Sequence, residues 1–307
     1  MSAGWAAGSV RARAIARRRI GAQAARRIAA SDSLETALRL LAAGPADCGA
    51  RPGQTLASAQ HAVAGAVLWD LRVLAGWLPP GGSQLMRPLA GWFEIANVDE
   101  LLQRLAGRPP GDIFELGSLA TAWPRLRDSG SPADLRAALA GSAWKDPGGD
   151  SESALRVGVR ARWAERVAAV GGPARDWAAG AVALLLASER FAEGRALPPV
   201  PRAATASLLG ERATEAASLE ALRDSMPTRL AWVLAGVTSP AGLWQAEAAW
   251  WDRVEQDGIT LVRAPEFGFR PVLGAMAVLA ADARRLWAAL ELAARGGGPL
   301  EAYDAVA

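Results

Sequence analysis

Histidine, cysteine and lysine, which often carry chemistry, each occur once in this sequence of 307 residues, as His61, Cys48 and Lys145. A Ser-His-Asp or Cys-His nucleophile would have to use His61, and no glycine-framed nucleophile lies near it. One cysteine and one histidine do not supply the several ligands that zinc requires. The lysine follows no glycine-rich phosphate loop. The sequence therefore predicts no catalytic site, no cofactor and no metal site.

Acidic pairs at helical spacing are the next place where acid–base chemistry could reside. Glu211 and Glu215 form one such pair, and Asp252 and Glu255 form another. Residues three or four positions apart share one face of a helix. Arginines are interleaved with both pairs, so we interpret them as solvated charged faces.

An acid and an amide, Glu94 and Asn97, lie one helical turn apart, and Asn97 is the only asparagine in the chain. On one helix face, a carboxylate and an amide can accept from and donate to the backbone at the end of a neighbouring helix. We therefore predict that Glu94 and Asn97 form a structural motif at a junction between helical modules and are not a catalytic pair.

Basic residues are concentrated at the start of the chain. Residues 1–110 carry a net charge of +6, residues 111–205 one of +1 and residues 206–307 one of −4. Seven arginines precede the first acid, and no apolar export segment follows them. Such a cluster could meet an acidic partner, nucleic acid or the negative third of the same chain. The residues predicted to bind a partner are Arg11, Arg13, Arg17, Arg18 and Arg19.

The elements that would position these side chains are helices. A longer helix is predicted from about Gln54 to Leu78, with one apolar stripe formed by Leu56, Val63, Val67, Leu71, Leu74 and Leu78 and with Leu68 outside it. Amphipathic runs end in Ala-Gly and are followed by proline, as at Leu105-Ala106-Gly107 before Pro109. Proline-rich stretches divide the chain into three predicted helical modules of the usual domain size, residues 1–107, 112–196 and 203–307. Only Ile259–Val262 has the composition of a strand, and we expect an extended loop there. The predicted fold class is all-α, with no membrane span.

Several stretches resemble the C/d family of connector subunits in V-type and A-type rotary ATPases. Val10–Ile20 is similar to that family's opening Val-Arg-x-Arg helix, and Ser33–Leu41 to its short second helix. Trp92–Leu102 contains the repeated acid-x-x-Asn-aliphatic motif, whereas the second and third modules have no matching element. Pro271–Ala280 and Arg284–Leu290 resemble the family's closing module.

The resemblance implies a funnel-shaped subunit of three similar helical lobes. Such a subunit has no active site of its own and couples the central stalk of an ion-translocating rotary ATPase to the proteolipid ring in the membrane. Its partners would be the central-stalk subunits and that ring. The chain would be a monomer within a hetero-oligomer, cytoplasmic and peripheral to the membrane, and would bind no nucleic acid.

Three other interpretations stay open. The missing second and third motifs favour a free-standing helical scaffold or regulatory protein derived from the same family. A helical nucleic-acid binder would use the basic first module, but the sequence contains no recognisable groove-reading element. A helical enzyme without a recognisable motif is the third alternative.

Overall fold

The computed structural model describes residues 3–44 and 48–304, so the ends of the first and third predicted modules lie outside the described residues. All regular secondary structure in these two ranges is helical, which confirms the all-α prediction. The α-helices are α1 (Ala3–Arg17), α2 (Ala22–Ala29), α3 (Leu34–Ala42), α4 (Leu56–Trp77), α5 (Gly82–Leu105), α6 (Trp123–Leu126), α7 (Pro132–Ala140), α8 (Glu152–Ala168), α9 (Pro173–Ala187), α10 (Pro199–Leu209), α11 (Glu211–Thr214), α12 (Leu219–Ser225), α13 (Leu243–Arg263), α14 (Phe269–Ala294) and α15 (Leu300–Asp304).

Helix lengths follow one order three times along the chain: two short helices and then two longer ones. Helices α2 to α5 have 8, 9, 22 and 24 residues. Helices α6 to α9 have 4, 9, 17 and 15 residues. Helices α11 to α14 have 4, 7, 21 and 26 residues. The order short, short, long, long thus recurs three times, with α1, α10 and α15 outside it, and each occurrence is called a repeat below.

The second short helix of each repeat begins in the same way. Ser33, Ser131 and Ser218 each precede it, and each hydroxyl accepts the backbone N–H three residues further on, at 3.2, 3.1 and 3.1 Å. The first turn of a helix has N–H groups without backbone partners, and a serine at this position supplies one acceptor. The same local signal therefore starts α3, α7 and α12.

The chain forms two compact units that differ in their boundaries from the three predicted modules. One consists of residues 1–86 and 251–307, and the other of residues 87–250. Helices α5 and α13 each contribute residues to both units. The division into three modules stays a prediction.

The core of the first unit is built from α2, α3, α4 and α14. Ile28, Leu38, Val63 and Leu290 are among its fully or almost fully buried members. The predicted apolar stripe of α4 is buried at Val63, Leu71 and Leu74, and Leu68, which lies outside that stripe, is buried as well. Burying each such side chain contributes about 1.5 to 3 kcal/mol.

The prediction of an extended loop at Ile259–Val262 is wrong, because these residues lie in the last turns of α13. Leu261 is buried, and Val254, seven positions earlier on the same helix, is buried too. Seven residues correspond to about two helical turns. The helical spacing of the buried side chains therefore prevails over the local preference of branched residues for a strand.

Helices α13 and α14 approach each other closely at two glycines, both of which belong to the first unit. A methyl group placed on Gly274 would lie 2.6 Å from the carbonyl oxygen of Gly258 and 2.7 Å from the Cβ atom of Leu261. The backbones of α13 and α14 can approach each other this closely because neither Gly258 nor Gly274 carries a side chain.

None of the helices within the described residues is both long enough and apolar enough to span a bilayer.

Candidate functional site

Glu94 is buried in the middle of α5 and holds the chain just before α6. Its side chain is 1% exposed. One carboxylate oxygen, Oε2, accepts the backbone N–H of Thr121 at 2.6 Å. The other, Oε1, accepts the backbone N–H of Ala122 at 2.7 Å and the indole N–H of Trp144 at 2.9 Å. Both oxygens of this carboxylate are therefore engaged by donors from the second unit itself.

Asn97, one turn further along α5, binds both backbone groups of Phe114. The N–H of Phe114 donates to Oδ1 at 2.7 Å, and Nδ2 donates to the carbonyl oxygen of Phe114 at 2.9 Å. In an antiparallel sheet, a residue makes the same two hydrogen bonds to a neighbouring strand, one through its N–H and one through its carbonyl. The side-chain amide thus replaces a strand as the partner of a segment that has no regular secondary structure.

A cation lies beside this buried carboxylate. The guanidinium of Arg166 is 4.4 Å from the centroid of the Trp144 ring, and Nη2 donates to Oγ1 of Thr121 at 2.8 Å. Burial lowers the pKa of Arg166, and the charge of Glu94 acts in the opposite direction. Arginine starts from a pKa far above neutrality, so it stays charged and opposes the charge of Glu94.

The bonds made by Glu94 and Asn97 determine what this pair can do. A general base needs a carboxylate oxygen that is free to reach a substrate proton. Both oxygens of Glu94 and both polar atoms of Asn97 already bind backbone or indole groups, and both side chains are buried. The pair therefore positions the segments that contain Phe114 and Thr121.

We expect Asn97→Ala to lower the free energy of unfolding by about 2 kcal/mol, because it removes both hydrogen bonds that Asn97 makes with the buried backbone of Phe114. Chemical denaturation followed by circular dichroism measures this change. Gln84→Ala serves as the control, since Gln84 is an exposed amide on the same helix and its loss should cost less than about 0.5 kcal/mol. Equal midpoints for the two variants would contradict the structural role of Asn97.

A second buried carboxylate, that of Asp282 on α14, binds backbone N–H groups within the first unit, as the carboxylate of Glu94 does within the second. Its oxygens accept the backbone N–H groups of Ile20 and Gly21, both at 2.8 Å. These two residues lie directly before α2. Burial raises the pKa of Asp282, and the two backbone bonds and Arg285 act against that rise.

Arg285 follows Asp282 by one turn, as Asn97 follows Glu94. It binds Glu255 on α13 through both terminal nitrogens, at 2.5 and 3.2 Å. No acid-x-x-Asn element is recognisable in the sequence of this part of the chain because Arg285 occupies the position of the asparagine. An acid with a polar residue three positions later, inside the apolar run of α14, was the signal that could have identified it.

The middle repeat uses an arginine in place of the acid. Arg190 lies in the π-helical turn Ser188–Ala192 that follows α9. Its Nη1 donates to the carbonyl of Thr214 at 2.7 Å, at the end of α11. In each repeat, a charged side chain from the last long helix or the turn after it therefore binds the backbone next to a short first helix.

The two acidic pairs noted in the sequence differ in their surroundings. Glu211 and Glu215 are exposed, and Glu215 pairs with Arg202, which agrees with a solvated face. Glu255, in contrast, is partly buried against Arg285, while Asp252 is exposed. The interpretation of Asp252 and Glu255 as one solvated face is therefore wrong for Glu255.

Three of the five predicted partner-binding arginines serve the first unit itself. Arg13 donates to the carbonyls of Val262, Ala264 and Glu266 at 3.1, 2.6 and 2.7 Å, and so covers the end of α13. Arg18 pairs with Asp70 at 3.3 Å. Burial raises the pKa of Asp70, and the charges of Arg18 and the half-buried Arg11 partly offset that rise.

The remaining two, Arg17 and Arg19, are exposed. Arg19 donates to the carbonyl of Ala16, one turn earlier on its own segment, at 3.2 Å. Arg17 makes no ion pair with the residues that the structure describes. These two arginines are therefore the predicted residues that remain most available for contacts outside the chain.

Within residues 3–44 and 48–304, no cluster of three or more His, Cys, Asp or Glu side chains is arranged to hold a metal ion. His61 is half-buried on α4, and Cys48 is buried in the core of the first unit.

A comparison with known protein families finds no family model that matches the chain, and a comparison with curated proteins finds no similar sequence.

Proposed function

We propose that this chain is a non-catalytic connector subunit of a V-type or A-type rotary ATPase, which couples the central stalk to the proteolipid ring. In this proposal the three predicted modules are the three lobes of a funnel. The proposal rests on the threefold order of two short and two long helices. At the end of each repeat, a charged residue binds backbone directly before a short first helix or at its last residue.

The buried acids support the proposal through their position in the repeat. Glu94, on the last long helix of the first repeat, holds the chain before the first short helix of the second. Asp282, on the last long helix of the third repeat, holds the chain before the first short helix of the first. Each of these two acids therefore connects the end of one repeat to the chain before the start of another.

A connector that transmits torque must resist deformation, and close-packed interiors have low compressibility. Buried charged side chains with fully used hydrogen-bonding groups add directional constraints to that packing. Glu94 ties a long helix to a separate segment within the second unit, and Asp282 does so within the first unit, which suits a subunit that needs stiff parts.

Affinity purification from native membranes tests this function. With a tag on the intact chain and mild detergent, we expect the head ATPase, stalk and proteolipid subunits of a rotary motor to co-purify. A chain that elutes with no motor subunit from membranes that contain the motor would refute the connector role. That result would favour the free-standing scaffold.

We expect the triple reversal Arg17→Glu, Arg18→Glu and Arg19→Glu to weaken association with the motor at least tenfold and to reduce its dependence on salt. Exposed ion pairs contribute about 0 to 1 kcal/mol each, so folding should change little. Binding measured across a salt series shows both effects, since screening acts within about 8 to 10 Å at ordinary ionic strength.

The control reverses Arg125, Arg175 and Arg212, three exposed arginines of the second unit, and makes the same change in net charge. If both triple variants bind equally well, the proposed contact through Arg17, Arg18 and Arg19 is wrong.

A further inference from the structure

A cleft of about 550 Å³ opens between the ends of α1 and α13 in the first unit. Its polar lining consists of Arg13, Arg17, Arg19 and Arg263, and no acidic side chain lines it. Arg17 is the last residue of α1 and Arg263 the last residue of α13. Four arginines therefore line one volume that lies within the usual range of small-molecule sites.

The nearby acids leave much of this positive charge uncompensated. Asp282 lies close enough to Arg19 to be affected by its charge, but its oxygens bind the backbone of Ile20 and Gly21. Neither Arg17 nor Arg263 pairs with an acid among the residues that the structure describes. Cations at the C-terminal ends of helices are favoured by the helix dipole, but that interaction leaves their N–H donors unused.

The carbonyl groups at the end of α13 would normally repel an anion at this place. Arg13 removes this obstacle because its guanidinium donates to the carbonyls of Val262, Ala264 and Glu266. These hydrogen bonds also hold the positively charged side chain of Arg13 in the lining of the cleft. The rest of the lining is apolar and includes Ile259, Pro265 and Val278.

We propose that this cleft binds a small soluble polyanion with two or more linked phosphate groups. Guanidinium groups form paired hydrogen bonds with phosphate oxygens and stay charged at all physiological pH values. Several arginines around one cleft can engage several phosphates of one chain, whereas a single phosphate engages fewer of them. The proposal does not depend on the connector function, because the isolated chain contains the whole cleft.

Isothermal titration calorimetry on the intact purified chain tests the proposal, with tripolyphosphate, pyrophosphate and orthophosphate compared at one ionic strength. We expect saturable binding at one site per chain, with tripolyphosphate tightest and orthophosphate at least tenfold weaker. The double variant Arg17→Gln, Arg263→Gln should lose at least tenfold in affinity for tripolyphosphate. The matched variant Arg175→Gln, Arg212→Gln removes two exposed arginines of the second unit and should bind as the wild type does.

Thermal unfolding of both double variants without ligand shows that each is folded, since all four side chains are exposed. The absence of saturable tripolyphosphate binding, or equal affinity of the two double variants, would overturn the proposal. Equally tight binding of a hexa-aspartate peptide would overturn it too, because the cleft would then recognise acidic protein segments. Binding to vesicles with anionic lipids but to no soluble polyphosphate would likewise reject it.

Discussion

Replacing Glu94 by alanine should lower the free energy of unfolding by about 3 to 5 kcal/mol, which is the usual effect of removing one partner of a buried charged interaction. The substitution leaves the N–H groups of Thr121, Ala122 and Trp144 without their acceptor. It also leaves the half-buried Arg166 without the opposite charge beside it. Urea or guanidinium denaturation, followed by tryptophan fluorescence, measures this loss.

Glu115→Ala is the matched control, because Glu115 is exposed and its loss should cost less than about 0.5 kcal/mol. Glu94→Gln should fall between the two variants, because its single amide oxygen replaces only one of two acceptors and its NH₂ group meets a donor. If Glu94→Ala is as stable as Glu115→Ala, the proposed anchoring of the chain before α6 is incorrect.

Gly274→Ala should destabilise the first unit by about 3 kcal/mol, at the upper end of the usual cost of overpacking. The added methyl group would lie 2.6 Å from the carbonyl oxygen of Gly258 and 2.8 Å from the backbone nitrogen of Val262. Backbone atoms of α13 cannot rotate away as the end of a flexible side chain can. The two helices would have to separate, and a melting curve would record the loss as a lower midpoint.

The control is Gly65→Ala, which we expect to raise the stability and not to lower it. Gly65 lies inside α4, and a methyl group placed there would meet no other atom within 4 Å. Alanine exceeds glycine in helix propensity by about 1 kcal/mol, so this variant should be more stable than the wild type. If both alanine variants are stabilised, the close approach of α13 and α14 is not a tight contact.

Local features of this fold follow from the sequence, whereas long-range partners do not. The helical class and the position of α4 could be predicted because hydrophobic spacing and caps lie within a few residues of each other. The same reasoning failed at Ile259–Val262, where burial along the whole of α13 decides the structure.

The candidate site was also predictable only in its local features and not in its long-range partners. The pairing of Glu94 with Asn97 is visible as a spacing of three, but nothing in the sequence marks Phe114 or Thr121 as their partners. Those partners lie 17 and 27 residues away and are specified only when the part of α5 that carries Asn97 and Glu94 packs within the second unit. Asp282 was harder to recognise, because its backbone partners lie at the other end of the chain.

The hydrogen bond from Ile20 to Asp282 joins residues 262 positions apart, and this separation sets an order of events during synthesis. At about 5 to 20 residues per second, Ile20 is made roughly 13 to 50 seconds before Asp282 is made. Residues 87–250 are continuous in the chain and can complete their own contacts in that interval. Helices α1 and α2 can pack against α4 and α3 earlier, but their contacts with α14 form only after α14 emerges. Helices α1 and α2 are thus among the last described elements to reach their final packing, and until then the faces that α14 covers are accessible to a chaperone.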